Sequence, residues 1–90
     1  MKIPVFHTTF DAAGTKTVNL QRDPHTVLIK NMTNDKIYVS WGIQIDPVEY
    51  IIIPTQTAEL LEYSERAYGD LMLTIQSFDA GIVETRVIDD

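Results

Sequence analysis

The stretch Lys36-Ile37-Tyr38-Val39-Ser40-Trp41-Gly42-Ile43-Gln44-Ile45 decides the fold class. Ile37, Val39, Trp41, Ile43 and Ile45 alternate with Lys36, Tyr38, Ser40, Gly42 and Gln44. Successive side chains of an extended chain point to opposite sides, so this period of two predicts a half-buried strand over 36–45. Trp41 is expected to anchor the core. Tyr38 falls on the face opposite Trp41, so one of the two faces carries a large aromatic outward or into a partner.

Upstream, Thr26–Met32 is rich in β-branched residues, with Val27 and Ile29 on one face and Leu28 and Lys30 on the other. Thr33-Asn34-Asp35 is turn chemistry, since Asn and Asp tolerate left-handed backbone and bond locally. The two strands and this link predict a hairpin. Downstream, Leu71, Leu73 and Ile75 alternate with polar neighbours, Asp79-Ala80-Gly81 reads as a tight turn, and Ile82–Ile88 alternates again around Val83, Thr85 and Val87. These predict a second hairpin. Glu49–Ile53 reads as a short strand stopped by Pro54, which has no N–H for a ladder. Ile3–Phe10 reads as a strand suited to a sheet edge, and Lys16–Leu20 as another short strand after Gly14.

Residues 55–68 carry two patterns. As a helix, with 56–67 as its span, Leu60, Leu61, Ser64, Ala67 and Tyr68 share a face, Glu62 pairs with Arg66 and Gly69 ends it. As a strand, Gln56–Tyr63 is followed by a loop to Gly69. Strands spaced every 8–12 residues around it favour the strand. The expected architecture is therefore all-β: one antiparallel β-sandwich over residues 1–90, with jelly-roll-like or immunoglobulin-like topology and one short helix at 56–67 as the alternative.

Ninety residues make one domain, and the 44% apolar fraction is that of a globular chain rather than a disordered one. A domain this small has a thin stability margin, and the absence of cysteine leaves self-association as its available staple. The longest apolar run, Tyr50–Ile53, is far short of a membrane span. The start Met-Lys-Ile-Pro lacks the apolar region of a secretion signal, so folding in the cytoplasm is expected and the sequon Asn31-Met32-Thr33 is read as chance. Net charge is −6, divided as +2 over residues 1–45 and −8 over 46–90. An acidic chain with scattered bases is repelled by phosphate backbones, which argues against nucleic-acid binding. Opposite-signed halves are able to guide head-to-tail docking between copies, unless strands from both halves intermix.

Catalytic patterns are missing. His7 and His25 stand in separate segments, and neither neighbours a nucleophile in a glycine-framed turn. No His-x-His pair occurs. The acidic stretch Glu59, Glu62, Glu65 and Asp70 reads as a solvated face, with a hard cation as its less economical use. Gly14, Gly42, Gly69 and Gly81 are isolated and build no phosphate loop. No cofactor and no metal are expected. Tyr38, Tyr50, Tyr63 and Tyr68 with Trp41 are suited to core packing, to a protein interface or to stacking on a carbohydrate.

The run Thr26–Gly42, the step Tyr50-Ile51-Ile52-Ile53-Pro54, the strand Ala67-Tyr68-Gly69-Asp70-Leu71-Met72-Leu73-Thr74-Ile75 and the Val-rich final strand resemble small structural proteins of tailed bacteriophages. The resemblance covers residues 26–88 and rests on strands and turns. Where that family usually has Gly after the proline, this chain has Thr55. The resemblance implies a compact β-sandwich that decorates a capsid or completes a virion shell. It implies a homo-oligomer, such as a trimer, with viral capsid protein as partner, and a place in the virion after synthesis in the host cytoplasm. It carries over no functional residue. The expected contact residues are Ile3, Val5 and Phe6, apolar near an unanchored end, together with Tyr38 and Tyr50. The alternative function is a carbohydrate- or receptor-binding module.

Overall fold

Each segment that alternates has one apolar side to hide, and two facing sheets hide all of them at once. The computed structural model describes residues 5–21, 26–62 and 71–89. Its strands are β1 (Val5–Phe10), β2 (Gly14–Asn19), β3 (Thr26–Thr33), β4 (Ile37–Trp41), β5 (Ile51–Ile53), β6 (Thr57–Glu62), β7 (Met72–Ser77) and β8 (Gly81–Asp89). A front sheet runs β1-β8-β3-β6 and a back sheet β2-β7-β4-β5, with every pairing antiparallel. The pairs 1–8, 2–7, 3–6 and 4–5 are nested, as if one long hairpin had been rolled up. This is the eight-strand jelly roll, and the immunoglobulin-like alternative falls. β1 lies at a sheet edge, as the sequence suggested.

The core sits between the sheets. Val27 and Ile29 of β3, Ile37 and Val39 of β4, Leu73 and Ile75 of β7, and Val83 and Val87 of β8 are all buried there. Full burial of one such side chain contributes about 1.5–3 kcal/mol. Trp41 and Phe6 pack against this cluster from its margin. Thr57–Glu62 is extended, so the helix alternative fails over those residues; the rest of 63–67 lies outside the described residues.

Neither expected hairpin forms. β3 and β4 belong to different sheets, and so do β7 and β8. The links are corners that carry the chain across the sandwich, and both are built alike. The Thr33 hydroxyl donates to the Asp35 carbonyl (2.7 Å), and the Asp35 carboxylate accepts the Lys36 N–H (2.7 Å). The Ser77 hydroxyl donates to the Asp79 carbonyl (2.6 Å), and the Asp79 carboxylate accepts the Ala80 N–H (2.7 Å). The corners lie side by side, since Thr33 pairs with Gly81 and Ile37 with Ser77. The turn chemistry was legible; its geometry bends the chain between layers instead of reversing it within one.

Asn31 ties the first of these corners, Thr33–Lys36, to a third. The two protons of its buried amide are shared among the carbonyls of Asp35 (2.9 Å), Ile53 (3.0 Å) and Pro54 (3.1 Å), while its Oδ1 accepts the Thr33 N–H (3.0 Å) and shares the Thr33 hydroxyl proton (2.7 Å) with the Asp35 carbonyl. At 1% exposure this side chain has no room for a glycan. In the β5–β6 corner Thr55 and Gln56 both donate to the Thr33 carbonyl. Gln56 takes the left-handed conformation there (φ 57°).

The strand expected over 36–45 ends at Trp41. Gly42 turns with φ +105°, and Gly42–Tyr50 becomes a loop folded over the outer side of the back sheet. The Thr74 hydroxyl donates to the Gly42 carbonyl (2.7 Å) and the Ser40 hydroxyl to the Gln44 carbonyl (3.0 Å). Ser40 and Thr74 point outward from the sheet yet are buried, because this loop covers them. Ile43, assigned to the core by its alternation, is 74% exposed.

Candidate functional site

With the core filled, chemistry is left to the two outer faces. On the front sheet the registers align three rows across the strands. Val5, Arg86, Leu28 and Leu60 form one, His7, Glu84, Lys30 and Ala58 the next, and Thr9, Ile82 and Met32 the third. Val5, Met32, Leu60, Ile82 and, further along β8, Ile88 are exposed apolar side chains. They frame a charged centre. Arg86 holds the Glu84 carboxylate at 3.0 Å, and Lys30 lies 3.8 Å from its other oxygen. Glu84 is only 8% exposed, while about two fifths of each basic side chain faces water. Beside Lys30 and Met32 a groove of about 140 Å³ runs to Gln56, Thr57 and Ala58.

The Arg86 hydrogen bond holds the Glu84 carboxyl below the usual glutamate range; partial burial opposes this, and the Lys30 charge reinforces it. Asp46 is also lowered, by the Val48 and Glu49 amides that it accepts at 2.9 and 3.2 Å. A carboxyl whose folded-state pKa is depressed stabilises the fold above its unfolded-state pKa and loses that contribution as pH falls through the folded value. The urea midpoint is therefore expected to decline below the ordinary carboxylate range, and Glu84→Gln to flatten that decline. A variant with the wild-type pH slope would remove Glu84 from the cause.

On the back sheet Tyr38 pairs with Ile52, and its ring lies 4.8 Å from those of Tyr50 and Phe78. The Tyr50 ring is tilted by 41° and the Phe78 ring stands edge-on at 75°. The Lys36 ammonium caps Phe78 at 4.8 Å. The rings therefore cover one another and build no flat platform.

The expected contact residues thus divide. Tyr38 and Tyr50 come together on the back. Val5 points outward on the front, whereas Phe6 points inward against the core. Ile3 lies outside the described residues. β1 pairs with β8. The Leu28–Leu60 row and the Lys30–Glu84–Arg86 group escaped the sequence reading because they need β3 beside both β6 and β8. Phe78 sits in a corner with no periodicity to mark it. Among the described residues no three His, Cys, Asp or Glu side chains cluster as metal ligands would, and no helix is long and apolar enough to cross a membrane. No family model, no curated protein and no solved structure matches this chain.

Proposed function

We propose that this protein is a non-catalytic assembly module, a decorating or minor structural component of a viral shell, and that the outer face of its front sheet is the contact surface. One observation carries the assembly reading. Leu60, Met32, Ile82 and Val5 stand exposed together around the Lys30–Glu84–Arg86 ion-pair centre. Apolar surface gathered on one face and rimmed by polar groups is costly in water and marks a binding side. The jelly roll itself serves capsid proteins and lectins alike, so it supports the class without choosing within it. The viral assignment rests on the bacteriophage resemblance of residues 26–88. The carbohydrate-binding alternative asks for ring faces free to stack on a sugar. Tyr38, Tyr50 and Phe78 stand tilted or edge-on to one another and form no flat platform, which favours assembly.

Neighbouring genes test the class: capsid and portal genes alongside are expected, and a glycosidase gene would favour the alternative. Co-sedimentation with shells of the adjacent capsid protein, combined with light scattering, tests the surface. Leu60→Asp and Met32→Glu are each expected to weaken association at least tenfold, the scale of a central contact residue. A monomer that also ignores shells would overturn the assignment.

A further inference from the structure

We infer that copies of this chain associate head to tail, the Gly42–Tyr50 loop of one seating on the front outer face of the next. The inference rests on the assembly reading above and names the occupant of its surface. Three observations lead to it.

The first is the charge at the centre of the face, apart from the Glu62 carboxylate at its β6 edge. Lys30 and Arg86 share the single carboxylate of Glu84, so this triad is net positive within a chain of net charge −6. Two such faces laid together in register would set like charges against each other. An apolar and acidic partner suits the face better than its own duplicate.

The second is the loop. Ile43 and Val48 are the most exposed large apolar side chains among the described residues, at 74% and 84%. Asp46 and Glu49 stand among them. The loop is also held in shape. Thr74 and Ser40 bind its carbonyls, Ser40 Oγ accepts the Asp46 N–H (3.0 Å), and Asp46 in turn accepts the Val48 and Glu49 N–H groups. A knob already ordered in the free chain loses little entropy on binding.

The third is placement. The loop lies over the back sheet, and the receiving face is the outer side of the front sheet. The two surfaces are on opposite sides of one sandwich, so a copy that receives a loop still offers its own. Such a contact is heterologous: it closes into a ring if the rotation between copies allows, and otherwise continues as a stack. The molecule measures 31 × 31 × 18 Å, and its broad side is on the order of the ~800 Å² that each partner buries in a standard interface.

Two variants of the full chain separate this arrangement from any other. Val48→Lys spoils the loop at a position too exposed to affect folding, and Leu60→Asp, also on the surface, spoils the face. Circular dichroism and urea midpoints confirm that both fold. Light scattering is expected to show wild-type chain associating, each variant alone dissociating at least tenfold more readily, and an equimolar mixture associating only as far as a one-to-one dimer, because the Leu60→Asp loop seats on the Val48→Lys face while the loop and face left over are both spoiled. If Leu60→Asp dissociates while Val48→Lys associates like wild type, the head-to-tail contact is overturned and the front face remains the assembly surface. If both associate like wild type, loop and face are overturned together. A wild-type chain that stays monomeric at high concentration overturns the head-to-tail contact alone, and shell binding then decides the assembly reading.

Discussion

Gly81→Ala is expected to destabilise the fold by roughly 3 kcal/mol or more, combining backbone strain with overpacking. Gly81 starts β8 between Phe10 of β1 and Thr33 of β3. Its φ of +143° is a conformation that side chains resist, and an added Cβ would lie 2.6 Å from the Thr33 Cα and 3.1 Å from the Met32 carbonyl oxygen. The neighbour is backbone, and Thr33 is fixed by its bonds to Asn31 and Asp35, so the contact has little freedom to relax. Gly42 supplies the control. It too has positive φ, +105°, but nothing lies within 4 Å of an added Cβ. Gly42→Ala is expected to cost about 1–2 kcal/mol, from strain alone. Urea midpoints at constant slope measure both. Equal losses in the two variants would show that the contact with Thr33 does not matter.

The second large effect is expected at Asn31. Asn31→Leu keeps the approximate size and removes every hydrogen bond the side chain makes. The Ile53 carbonyl and the Thr33 N–H then lose a buried partner, as do the Asp35 and Pro54 carbonyls at the margin. Each buried group left unpaired costs about 1–3 kcal/mol, so a total loss of roughly 4 kcal/mol is expected, with some relief from water entering at Asp35 and Pro54. Hydrogen exchange should locate the damage: the Thr33 amide loses protection before amides in the middle of β3. A loss below about 1 kcal/mol would mean that the β3–β4 and β5–β6 corners hold without their common tie.

The faces of the strands were legible in the sequence, while their neighbours were not. Alternation put Val27 with Ile29, Leu73 with Ile75 and Val83 with Val87 on shared faces, and these are the faces the fold buries, because side-chain direction is a local property. It also set Tyr38 opposite Trp41, the first hint of an aromatic cluster on the outside. Pairing is a non-local property. Thr33-Asn34-Asp35 and Asp79-Ala80-Gly81 have the residues of a reversal, and nothing in their composition distinguishes a turn within one sheet from a corner between two. The difference lies in hydroxyls reaching two residues ahead, Thr33 to Asp35 and Ser77 to Asp79. Ile43 misled for a related reason. Its alternation continues that of β4, but Gly42 and the hydroxyls of Ser40 and Thr74 divert the backbone first. The front face became visible only once Leu60 stood beside Leu28.

The nested strand pairs also constrain the order in which the chain is able to fold. Among the four nested pairs only β4 and β5 have their partner close by in sequence, so the zipper starts in the middle and closes outward. β1 must wait for β8, so the first strand of the fold stays without its partner until the last strand has been added. Delayed closure of large loops slows folding and leaves strand edges open to other molecules meanwhile.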